Sequence, residues 1–164
     1  MKHFIVFVLF LSQNIFSGLT YFSDDLDEFT DEREISLLIV GDKHSSFLPK
    51  AIGITCDTSS KPFLILQQGI LFSTKPNLLV TLRFDKNEPM KRSFSYSSKA
   101  SALSNRDIGF IKWFLYELRN SNNLIVKVEG EDIMRFTDLN ESSKHVSEFL
   151  TAASELPPST CNLK

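Results

Sequence analysis

The sequence predicts an α+β domain: one antiparallel β-sheet of about six or seven strands with two helices packed on one side of it. Three observations predict this. Between residues 35 and 97 apolar residues recur at every second position, the period of a strand. The period lengthens to 3.6 from residue 108, returns to two between 124 and 136, and lengthens again from 146. The composition, 42% apolar with 15 Phe in 164 residues and only 23% charged, supplies one core and is too apolar for a disordered chain. Strands, helix, strands, helix is the order of an α+β domain.

The chain opens with Lys2 and His3, runs through the apolar stretch Phe4 to Leu11, and breaks at Ser12, Gln13 and Asn14. About eight apolar residues fall far short of the roughly 20 that a membrane-crossing helix needs, so residues 1–20 read as a signal peptide, with small residues at Ser17, Gly18 and Thr20 for cleavage. The mature chain is then periplasmic or secreted, without stable membrane insertion. Residues 21–34 carry Asp24, Asp25, Asp27, Glu28, Asp31, Glu32 and Glu34 against the single base Arg33. Such a run repels itself, and it reads as an acidic flexible spacer. It lacks the alternating ligands and central glycine of a calcium loop.

Residues 35–164 then form one domain. Ile35 to Val40 is a strand apolar on both faces, ended by Gly41, Asp42 and the loop from His44 to Pro49; Ala51 to Cys56 is the next. Phe63 to Leu66, again apolar on both faces, suits a central strand. Leu78, Val80, Leu82 and Phe84 share a core face while Thr81, Arg83 and Asp85 share the other. The turn Lys86 to Pro89 leads into Phe94 and Tyr96, alternating with serines, as the second strand of a hairpin. Ile108, Ile111, Leu115 and Leu118 form a helical stripe behind Ser104 or Asn105 as N-cap; Trp113 and Tyr116 lie off it, covered by a loop. Leu124 to Val128 and Met134 to Phe136 are strands, and Val146, Phe149, Leu150 and Ala153 mark a last helix capped by Asn140 and ended before Pro157.

In an oxidising compartment the two cysteines, Cys56 and Cys161, pair. Cys56 shares a strand face with Ile52 and Ile54, so the bond pins the C-terminal tail to the core. Parts for chemistry are few. The three histidines lack a zinc spacing; no nucleophile elbow or phosphate loop occurs among the singly scattered glycines; and the serines from Ser93 to Ser104 have no base beside them. The expectation is a non-enzymatic protein with no cofactor and no metal. A net charge of -2 gives no field for nucleic acid. A protein partner is expected instead, with Arg83 and Asp85 as candidate contacts. A hydrolase reading requires the fold to bring His44 or His145 beside a serine or carboxylate.

From Ile54 to Cys161 the order of features resembles the VasI family of type VI secretion-associated proteins, exported accessory proteins of Gram-negative bacteria with relatives in phages. The resemblance rests on Ile54-Thr55-Cys56, the aliphatic strand Phe63 to Leu66, the run Val80-Thr81-Leu82-Arg83-Phe84-Asp85 and Phe94-Ser95. Further along it takes in Ile108 to Leu118, Leu124 to Val128, Phe136, Val146 to Ala153 and the closing Cys161. Thr55 stands where the family tends to have Arg, Phe72 and Phe94 where it has Trp, and Leu139-Asn140 where a Gly-Leu turn is common. It implies an exported accessory protein of the envelope, acting by protein-protein contact and associated with type VI secretion. A secreted or phage-derived effector or inhibitor acting on a host protein is the alternative.

Overall fold

Strict alternation over Ile35, Leu37 and Ile39 places three side chains, each at most 1% exposed, on one face of a strand. Everything else in the fold is arranged to cover that face and its continuation. A computed structural model describes residues 19–41, 50–58, 61–67, 75–97, 102–131, 133–157 and 159–163. Residues 1–18 of the leader with His3, His44 and its loop, Phe72 and part of the serine run lie outside the described residues.

Among the described residues nine strands build one sheet: β1 (Leu19–Asp27), β2 (Glu32–Val40), β3 (Ala51–Asp57), β4 (Phe63–Gln67), β5 (Asn77–Phe84), β6 (Met90–Ser97), β7 (Ala102–Asn105), β8 (Leu124–Val128) and β9 (Ile133–Phe136). Their order is β1-β2-β3-β4-β7-β6-β5-β8-β9, and every neighbouring pair is antiparallel. Among the same residues two α-helices, α1 (Ile108–Asn120) and α2 (Ser142–Glu155), give the α+β architecture. β4 is indeed central.

The expected count of six or seven strands is corrected by β1 and β7. β7 is four residues long, too short for a period to register. β1 falls where the acidic run predicts a flexible spacer over 21–34. Those residues instead form a hairpin, with Leu19 opposite Val40 and Asp27 opposite Glu32. Leu19 and Thr20, counted with the leader, open its first strand. Thr20 and Phe22 share the core face with Ile39 and Leu37, and α2 packs on β1 and β2. The tip is closed by Asp27, whose Oδ1 accepts from the N–H groups of Phe29 and Thr30, and by Asp31 in the left-handed region.

α1 buries Phe110, Ile111, Phe114, Leu115 and Leu118. Phe84 meets Phe114 edge to face at 5.5 Å, and Phe94 meets Phe110 at 5.9 Å. Asp107, not Ser104 or Asn105, caps the helix, its carboxylate accepting from the Phe110 N–H. Asn105 acts one step earlier, accepting from the Asp107 N–H. Trp113 stacks on Phe110 and touches Phe84, whereas Tyr116, expected under a loop, is 67% exposed. α2 follows a 3-10 turn at Leu139–Glu141, and Asn140 supplies no cap. Ser142, 1% exposed, instead donates its hydroxyl to the Leu118 carbonyl, tying the start of α2 to the end of α1.

The sheet curls. Gly41, just past β2, sits against β9: a Cβ there would lie 3.0 Å from the Phe136 ring and 3.1 Å from the Arg135 carbonyl. The end of β2 thus approaches β9, at the far edge of the sheet. Cys56 and Cys161 form a disulfide with Cα atoms 5.7 Å apart, fastening the tail beside α2. Among the described residues no helix is long and apolar enough to cross a membrane.

Candidate functional surface

The core face of β5 carries Leu78, Val80, Leu82 and Phe84, so Arg83 must project from the outer face. Its Nε donates to the Asp85 carbonyl at 3.2 Å. Asp85 itself does not share that face. It lies past the strand end with φ +44°, and its carboxylate accepts from the backbone N–H groups of Asn122 (3.2 Å) and Asn123 (2.9 Å) and from the Asn123 amide. Asp85 therefore clamps the junction of α1 and β8. The candidate contact pair separates: Arg83 stays on the surface and Asp85 is used within the fold.

What surrounds Arg83 is legible only from the register. Thr81 lies opposite Lys91 on β6 and Lys127 on β8; Arg83 lies opposite Ile125, which in turn faces Arg135 on β9. All four basic side chains are exposed, and none is in an ion pair among the described residues. They form a staggered grid: Lys91 and Lys127 in one row with Thr81 between them, Arg83 and Arg135 in the next with Ile125 between them. Diagonal neighbours in such a sheet are about 7–8 Å apart. The staggering keeps like charges from facing each other directly. Leu79 and Ile133, 43% and 45% exposed, border the grid, and the nearby Glu129 is paired with Lys75.

The other end of the same outer face is acidic. Asp25 lies opposite Glu34 and Glu34 opposite Asp57, a row across β1, β2 and β3, and Asp27 opposite Glu32 forms the next row. Burial first, then the charges of Asp57 and Asp25, push the Glu34 carboxyl above its ordinary value, against a hydrogen bond from Ser36 that lowers it. Beyond the acids, at the hairpin tip, stands Phe29, 100% exposed; Leu26, 61% exposed, lies opposite Arg33 and so on the core-side face. The core side is different: there Arg33 grips Asp24 with two N–H donors and reaches Glu155 with a third. That fork holds the Asp24 carboxyl below its ordinary value.

His145 Nδ1 lies 2.9 Å from Glu148 one helical turn on, so a carboxylate does stand beside it. Among the described residues no side-chain hydroxyl hydrogen-bonds to that ring, and the pair is an i, i+3 helix contact. A groove of about 260 Å³ between α2 and the tail is lined mainly by Leu150, Ala153, Leu156, Cys161 and Leu163. Among the described residues no group of three or more His, Cys, Asp or Glu is placed to hold a metal ion.

Sequence reasoning singled out Arg83 and missed Lys91, Lys127 and Arg135. The alternation Leu124, Val126, Val128 and Met134, Phe136 already sets Lys127 and Arg135 outside. That these strands flank β5, which brings the cations together, is a property of the topology. No protein-family model matches this chain, and no curated protein or solved structure does.

Proposed function

We propose that this chain is an exported, disulfide-closed accessory protein of the bacterial envelope that acts by contact with another protein, and that the basic outer face of β6, β5, β8 and β9 makes the contact. The observation that carries the reading is the grid of Arg83, Lys91, Lys127 and Arg135, four exposed cations on a rigid sheet. Positions fixed by strand register cost little conformational entropy on binding beyond their own side chains. A face of this kind selects an acidic partner surface and speeds encounter with it.

Export is supported by the apolar leader sequence and by the disulfide, since such bonds persist where thiols are not kept reduced. The similarity to the VasI family supports a place beside a type VI secretion machine. The test is capture from envelope extract by immobilised protein at low salt, comparing wild type with the fourfold variant Arg83→Gln, Lys91→Gln, Lys127→Gln, Arg135→Gln. A defined envelope protein retained by wild type and lost by the variant is expected. Retention of the same protein by both rejects the basic face as the contact surface.

A further inference from the structure

We propose that the acidic surface taken by the basic grid is that of a second copy of this chain, its Asp25, Glu34 and Asp57 row, giving a head-to-tail contact. This rests on the reading of the grid as a contact surface and names its partner.

Four observations support it. The two patches lie on the outer face of one sheet with opposite sign and similar reach. The acidic row spans three adjacent strands, and the grid spans four. Each has an apolar neighbour for the other: Phe29 at the hairpin tip beside the acids, Leu79 and Ile133 beside the grid. Like charges directly opposite on neighbouring strands cost stability, and docked cations relieve that repulsion. The acidic row lies on β1, β2 and β3 and the grid on β6, β5, β8 and β9, with β4 and β7 between them in the sheet. The contact is thus heterologous, and each added copy leaves one patch of each sign open.

The experiment uses sedimentation equilibrium on the disulfide-bonded protein. Wild type is expected to show a mass that rises with concentration in about 20 mM salt and falls toward the monomer in about 300 mM, where exposed charges are screened within less than about 8 Å. Asp25→Asn with Glu34→Gln removes one patch; Lys91→Gln with Lys127→Gln removes the other. All four changes are on exposed side chains, and circular dichroism and thermal melting check the folds. Each variant alone is expected to be monomeric at low salt. Mixed, they retain one working patch each and form one-to-one pairs that grow no further. A wild type that stays monomeric at low salt overturns the proposal, as does association unchanged in either variant. If wild type is monomeric yet Lys91→Gln with Lys127→Gln loses the captured envelope protein, self-contact falls and the basic-face reading stands. If capture is also unchanged, both fall.

Discussion

Arg33 holds Asp24 in a two-pronged grip, Nε to Oδ1 at 2.7 Å and Nη2 to Oδ2 at 2.6 Å, while its Nη1 reaches Glu155 on α2 at 2.9 Å. The one base in the acidic run therefore joins both strands of the first hairpin to the last helix. The side chains are 26% to 58% exposed, so the network is worth roughly 1 kcal/mol, the upper end for surface pairs. Arg33→Gln is expected to lose about that much in denaturant unfolding at pH 7. Asp24's carboxyl is held low, so the stability it adds is present above its unfolded value and fades as pH falls through the folded one. The variant and wild type should converge in acid. Lysine, a point charge without the fork, is expected to restore only part.

Glu34 works in the opposite sense. Its folded pKa is raised, so the folded state favours the protonated form, and the contribution present below the unfolded value is lost as pH rises through it. Glu34→Gln cannot ionise. It is expected to gain a few tenths of a kcal/mol over wild type at pH 7 and nothing at pH 4, read from urea midpoints at both pH values.

Asp85 pairs a left-handed backbone with a carboxylate that accepts from two backbone N–H groups. Asp85→Ala loses both advantages and is expected to cost about 2–3 kcal/mol, whereas Asp85→Asn keeps tolerance of positive φ and one acceptor and should cost about half. Neither change touches the outer face of β5, so capture by the folded variants is expected to match wild type. Loss of capture in the folded Asn variant would return Asp85 to the contact surface.

The interior of this fold is written plainly in its sequence. Ile35 to Ile39, Leu78 to Phe84 and the α1 stripe announce their period because one face of each is buried. β1 was hidden for a physical reason. Its acids point outward or are neutralised by Arg33, and only Thr20 and Phe22 show an apolar face, so local charge argues for solvent while pairing and α2 decide otherwise. The grid was hidden for another reason. β5 and β8 are separated by β6, β7 and α1 in sequence yet adjacent in the sheet, so Arg83 and Lys127 become neighbours only in the fold.

The disulfide closes a loop of 105 residues. In the chain-entropy account such a closure is worth about 4–5 kcal/mol. Cys56→Ala with Cys161→Ala is expected to lose most of that and to expose the tail after Pro157 to protease first, as followed by limited digestion with intact-mass readout.

The central claim, an exported and disulfide-closed chain, is tested most directly by fractionating the producing cell and weighing the intact protein without reductant. The account predicts a periplasmic or extracellular chain that begins no later than Leu19, so that β1 is whole, and that is lighter by two hydrogens than its reduced form. An uncleaved cytoplasmic chain with two free thiols would contradict it.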